Sequence, residues 1–182
     1  MPLTGETIFI AGAYGVGKST IGAYLSKKTN VPFYSAGSLI SEVYGEEYGA
    51  NKVVKDKEKN QNILIYSVNE LHKKFGKIFL AGHFCIFNSS NDVEQLPDTV
   101  FDNLKISTIV LLEAEPSVVS NLLWERDGKS YSVNSLADLT RRERKQAEKT
   151  SNRLHCPLLI YKRHFTDDDF TNILDYFTEG IS

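Results

Sequence analysis

The chain has 182 residues, with 21 Lys plus Arg against 23 Asp plus Glu; 41% of its residues are hydrophobic and 11% aromatic. This is the composition of a globular domain built on one core, and it excludes a disordered chain, a collagen and a disulfide scaffold. A formal net charge of −2 excludes bulk adhesion to nucleic acid or anionic membrane.

No apolar stretch approaches the length of about 18 residues that a membrane span needs, and Met1 to Gly5 lacks the features of a signal peptide, so a cytoplasmic protein is expected. Thr7 to Ala11 reads as a short buried strand, and Ile21, Tyr24 and Leu25 mark a helix over residues 18–28. Val31 to Tyr34 reads as a second strand, then a Ser-Ala-Gly-Ser turn and a helix from about Leu39. A helix from about Glu58 to Phe75 carries Ile63, Leu64, Val68, Leu71 and Phe75 on one side and ends at Gly76.

Lys77 to Ala81 is a third strand, and Gly82 to Lys105 reads as a long loop with at most one helical turn. Ile106 to Leu112 is a continuous apolar strand, and Pro116 stands at the first position of a helix ending near Asp127. A charged helix over about 135–152, a fifth strand from Pro157 to Tyr161 and a helix opened by Thr166 complete the chain. Asp167, Asp168 and Asp169 suit that helix's positive N-terminal end rather than a metal. Cys85 and Cys156 belong to no CxxC pair and read as core residues. Unalternating strands separated by helices predict an α/β domain, a five-stranded parallel sheet covered on both faces.

Gly12-Ala13-Tyr14-Gly15-Val16-Gly17-Lys18-Ser19 fits G-x-x-x-x-G-K-[ST] between a strand and a helix, the context of a P-loop. In such a loop the backbone N–H groups turn inward onto phosphate oxygens and the helix N-terminus adds its dipole. Lys18 then reaches the β/γ-phosphates, Ser19 offers a hydroxyl to Mg²⁺, and Thr20 continues the site. The three-layer P-loop NTPase fold and an ATP site with Mg²⁺ are therefore expected.

The P-loop, the Tyr34 to Leu39 segment, Leu112-Glu113-Ala114-Glu115-Pro116 and Arg126-Asp127 resemble the adenylate kinase group, particularly its archaeal type with a short lid. The resemblance implies one domain over 1–182, an acceptor-binding insertion over about 35–75 and a short lid over about 126–145. It also implies acceptor contacts from Ser35, Gly37, Asp56, Asn60 and Gln61, and lid cations Arg126, Lys129, Arg141 and Arg144. Arg144 and Glu148 are spaced to pair on their helix.

Two positions depart from the group. Ser41 and Phe87 stand where arginines grip an acceptor phosphate, and neither can make Arg's paired charge-assisted hydrogen bonds. The acceptor is therefore expected not to be an ordinary nucleoside monophosphate. Ala81 stands where an Asp usually organises the Mg²⁺ shell, which reads as a natural loss, a nonhydrolytic protein or an inactivating substitution. His83, just beyond that strand end, is placed to orient or deprotonate an acceptor hydroxyl.

Lys18, Arg126 and His83 are thus the catalytic candidates. The leading expectation is an ATP-dependent kinase acting on a nucleoside, nucleotide or other metabolite. The alternative is an ATP-binding switch subunit that controls a partner protein.

Overall fold

The computed structural model describes residues 4–44 and 57–179. The chain runs β1 (Glu6–Ala11), α1 (Lys18–Thr29), β2 (Phe33–Ser35), α2 (Ala36–Tyr44), α3 (Lys57–Phe75), β3 (Lys77–Ala81), β4 (Cys85–Phe87), β5 (Val93–Gln95) and α4 (Asp98–Asp102). It continues through β6 (Ile106–Glu113), α5 (Pro116–Asp127), α6 (Val133–Leu154), β7 (Leu158–Lys162) and α7 (Asp168–Thr178). Five strands form a parallel sheet in the order β2-β3-β1-β6-β7. The expected α/β class is thereby found.

Burial on both faces explains the unalternating strands: Ile8, Phe9, Ile10 and Ala11 are all buried, as are Ile78 to Ala81 and Ile109 to Leu112. On one face Phe79 meets Phe177 of α7 edge-on at 5.7 Å, and Tyr24 of α1 packs on Phe170 at 5.0 Å. On the other, Phe9 meets Phe84 and Phe101 at 5.2 and 5.7 Å, and Thr7 bonds His72 of α3. Cys85 and Cys156 are both buried, and burial pushes the Cys85 thiol up to about 12, the neighbouring Glu143 adding to the shift.

Local signals account for several boundaries. Pro116 opens α5, and Gly128 closes it with left-handed geometry, its N–H donating to the Trp124 carbonyl at 2.9 Å. Ser132 caps α6 by accepting from the Ser135 N–H at 3.0 Å.

Three expectations are corrected. The Ser-Ala-Gly-Ser run is not a turn: Ser35 ends β2, its hydroxyl accepts from the Ser38 N–H at 3.2 Å, and α2 starts at Ala36. The segment from Gly82 to Lys105 holds, besides the short helix α4 that the reading allowed for, a two-stranded hairpin, β4 with β5, whose strands are too short to show a period. Helix α7 begins at Asp168, two residues past Thr166. Among the described residues no helix is long and apolar enough to cross a membrane.

Candidate active site

The loop between β1 and α1 lies at the C-terminal end of the parallel strands, where α/β sheets gather ligands. Its conformation demands glycine at both ends. Gly12 has φ +150°, and a Cβ there would stand 2.4 Å from the Leu112 carbonyl oxygen. Gly17 has φ +86°, and a Cβ there would stand 1.9 Å from the Arg163 guanidinium. Lys18 folds over the loop, its Nζ donating to the carbonyls of Gly12 and Ala13 at 2.9 Å each.

A cavity of about 420 Å³ opens beside the loop. Tyr14, Gly15, Gly17, Lys18, Ser19 and Thr20 of the loop and the start of α1 line it, whereas Gly12, Ala13 and Val16 do not. Ser35 and Gly37 from the start of α2, Asn60 and Gln61 from α3, His83 and Arg126 also line it. The acceptor-side and catalytic candidates therefore converge, apart from Asp56, which lies outside the described residues.

The remaining lid candidates do not reach this cavity. Arg144 is held by Glu113 at the end of β6, through bonds of 2.8 and 2.6 Å, instead of by Glu148. The reason is placement: Glu113 presents both carboxylate oxygens to the guanidinium, a fork that an exposed i+4 partner on one helix does not offer. Arg141 pairs with Asp138, and Lys129 is exposed in the short 128–132 connection. Arg126 itself is held by both carboxylate oxygens of Asp127, at 2.9 and 2.7 Å.

The rest of the lining is largely apolar and aromatic, and part of it is built on the loop's own Tyr14. Phe87 stacks on Tyr14 at 5.6 Å and on Tyr131 at 5.9 Å, and Tyr14 also packs on the His83 ring at 4.6 Å. Ile40, Leu64, Ile86, Leu96 and Val100 continue that wall. Lys57 lines it too, paired with Glu94 of the hairpin.

Sequence reasoning missed Glu143 on α6. It is 1% exposed, and its Oε1 accepts from the Phe84 and Cys85 N–H groups at 2.8 and 2.7 Å. The same oxygen stands 3.9 Å from His83 Nδ1, and Oε2 has no hydrogen-bond partner among the described residues. Burial pushes this carboxyl up to about 7, against the opposing pull of the Cys85 amide, the Lys18 ammonium and the Phe84 amide. The only local signal was Glu143 inside Arg-Arg-Glu-Arg-Lys, which reads as solvated surface.

Arg163 and Asp169 were also missed. They form a buried pair at 3.2 Å, and Arg163 donates to the Val16 carbonyl at 3.0 Å, bracing the loop. Asp169 additionally accepts from the Tyr161 hydroxyl and the His164 and Phe165 N–H groups, so it does more than complement the α7 dipole.

Ser19, the second residue of α1, lines the cavity one residue beyond Lys18. Among the described residues no group of three His, Cys, Asp or Glu could hold a metal. A metal ion here would take most of its ligands from phosphate and water.

A family model described as an AAA domain matches residues 11–140, and the chain belongs to that family. It is 32% identical over 77 residues to shikimate kinase 1 of Salmonella newport (strain SL254), covering 42% of this chain and 44% of the relative. The chain thus matches less than half the length of that curated relative. Its fold is like that of a shikimate kinase from Bacteroides thetaiotaomicron, with TM-score 0.62, 18% identity, and 96% and 97% of the two chains covered. A gluconokinase from Sinorhizobium meliloti 1021 aligns with TM-score 0.54 and 13% identity over 100% and 97%. The fold is that of P-loop kinases, and the chain is similar to P-loop phosphotransferases that act on small molecules.

Proposed function

Starting from membership of that family, we propose that the protein is an ATP-dependent kinase that transfers the γ-phosphoryl group to a hydroxyl of a small, neutral, ring-bearing metabolite such as a nucleoside or sugar. The observation that carries this reading is the acceptor wall. Phe87 and its aromatic neighbours occupy the side where a phosphate-gripping arginine is expected, and Asn60, Gln61 and His83 supply the polar contacts. Among the described residues, the cations on the cavity besides Lys18 are Lys57 and Arg126, and these are paired with Glu94 and Asp127. A flat apolar wall with a few amide groups suits a neutral ring better than an anion.

ATP is the donor in this reading, with Gly12 to Thr20 as its phosphate cradle and Arg126 closing over the phosphates from a short 126–145 lid. Residues 35–75 form the acceptor segment of a single 1–182 domain. Ser19 would hold Mg²⁺, which when bound supplies charge neutralisation at the phosphates.

The test is phosphoryl transfer from γ-labelled ATP to a panel of nucleosides, sugars, shikimate, gluconate and AMP. Transfer to neutral hydroxyl compounds, with AMP at least about 100-fold slower than in the ordinary kinase range, is expected. AMP turnover of about 1–100 per second would overturn the reading of the acceptor wall. A second reading, an ATP-occupied switch that controls a protein partner, is favoured by Ala81 alone. It gains if no acceptor is phosphorylated although MgATP binds.

A further inference from the structure

Gln146 on α6 is 9% exposed, and its side-chain amide makes no hydrogen bond with a described residue. A buried amide is costly to keep unless something meets its polar atoms. This one lines a second cavity, of about 280 Å³, set between α6 and the β4–β5 hairpin and sharing no lining residue with the cavity beside the phosphate loop. Cys85 and Gln95, paired directly across the hairpin, form one side of it. Arg141, Arg142, Lys145 and Gln146 form the other, at spacings of three and four residues that place them on one strip of the helix.

Three cations thus line a cavity that has no carboxylate in its wall. Asp138, one turn earlier on α6, pairs with Arg141 and, at 3.2 Å, with the Nε of Arg142. Lys145 makes no ion pair with a described residue. The carboxyl of Glu143 is turned onto the Phe84 and Cys85 N–H groups and stays out of the lining. The Cys85 thiol, pushed up to about 12 by burial, is neutral. Positive charge is therefore in excess, and a concave wall concentrates its field.

The excess is local. Arg144 is tied to Glu113, Lys149 to Asp98, and Arg153 to Asp98 and Asp102. Helix α6 consequently offers no continuous basic stripe of the kind that follows a nucleic acid backbone. A small anion fits such a site better than a macromolecule does.

We propose that this cavity is a second binding site, for a small phosphoryl-bearing anion. Arg141, Arg142 and Lys145 hold the phosphoryl oxygens, and the Gln146 amide donates a further hydrogen bond. Guanidinium forks match phosphoryl oxygens in pairs, and the Lys145 ammonium adds a charge that no carboxylate offsets. Arg142 turns its Nε to Asp138 and keeps its other donors for the ligand. The site goes beyond the kinase reading and does not depend on it. The two cavities meet at β4, because Cys85 lines one while Ile86 and Phe87 line the other.

The test titrates the full chain with pyrophosphate in metal-free buffer and follows the backbone amides of Gln95 and Lys145 by nitrogen-15 NMR. A phosphate loop also takes pyrophosphate, so the titration is repeated on Lys18→Ala. Saturable shifts at Gln95 and Lys145 are expected in both proteins. Lys145→Met removes a charge without breaking an ion pair and should weaken this binding at least about 10-fold. Asp138→Asn removes the competing carboxylate and should tighten it about 3-fold. Circular dichroism checks that both variants keep the native fold.

Shifts confined to Gly12–Thr20, or shifts that sodium chloride reproduces at equal ionic strength, overturn the site. Equal affinity in wild type and Lys145→Met does so too. Tighter binding of a short oligonucleotide than of pyrophosphate at Gln95 and Lys145 overturns the assignment of a small ligand. Loss of MgATP binding in wild type bears on the kinase reading alone and leaves these outcomes unchanged.

Discussion

The Arg163 guanidinium is shared between Asp169, 3.2 Å from its Nε, and the Val16 carbonyl, 3.0 Å from its Nη1. One buried cation therefore ties the start of α7 to the middle of the phosphate loop. It also fills the space that any side chain at position 17 would need.

Removing that cation leaves a buried carboxylate and an unmet carbonyl. Arg163→Ala should cost about 3 kcal/mol of stability, the lower end for breaking a buried pair, because Asp169 keeps donors from Tyr161, His164 and Phe165. Urea unfolding measures it. MgATP affinity should fall as well, since the loop loses its brace; a variant of full stability and full affinity would show the pair to be idle.

Lys18 already satisfies its ammonium on the carbonyls of Gly12 and Ala13, so its substitution tests the phosphate role with little loss of packing. Lys18→Ala should weaken MgATP binding by about 10- to 100-fold, the value of one charge-assisted contact. Calorimetry on both proteins decides it, and equal affinities would move the nucleotide elsewhere.

Arg126 is held against Asp127 and lines the cavity, and that environment keeps it charged, the Asp127 hydrogen bond being the largest cause. In the proposed kinase, a cation so placed would act on charge that grows during transfer. Arg126→Ala should lower turnover at least about 10-fold and change ATP affinity little. Lost affinity with retained turnover would make Arg126 a donor anchor.

Glu143 carries a cost that varies with pH. Its carboxyl titrates near 4.5 when ordinary and at about 7 in the fold, so its contribution to stability is complete below about 4.5 and is lost as pH rises through 7. By pH 8 the ionised group costs about 3 kcal/mol. Glu143→Gln should therefore gain stability relative to wild type between pH 5 and pH 8. Parallel stability curves for the two proteins would remove this reading of its environment.

His72 has the opposite sign. Its Nε2–H donates to the Thr7 hydroxyl, which itself donates to the Leu104 carbonyl at 2.6 Å. Burial, with Lys105 nearby, holds its pKa below 6.5, so the neutral ring stabilises the fold above 6.5 and that contribution is lost as pH falls through the folded value. Wild type should lose stability relative to His72→Gln on going from pH 7 to 5.5, by at most about 1.4 kcal/mol per pH unit. Denaturant unfolding at a series of pH values provides the check.

What the sequence by itself determined was what local chemistry encodes. Apolar runs marked all five sheet strands, the central β1, β3 and β6 largely buried and the edge strands β2 and β7 half-buried. Pro116 and Gly128 marked the two ends of α5, and Gly12 to Ser19 marked a loop whose turns need glycine and whose Lys and Ser suit phosphate and metal. Only the tertiary structure decided which charged residues on amphipathic helices face inward. Arg141, Arg144 and Glu143 stand within four positions on α6, yet Arg144 turns to Glu113, Arg141 to Asp138, and Glu143 is buried against the amides of Phe84 and Cys85, 59 and 58 residues away in the chain. Helical periodicity shows that such residues occupy different faces, but which face is buried depends on the neighbour it meets. That neighbour is the segment beyond β3, brought against α6 by the sheet order.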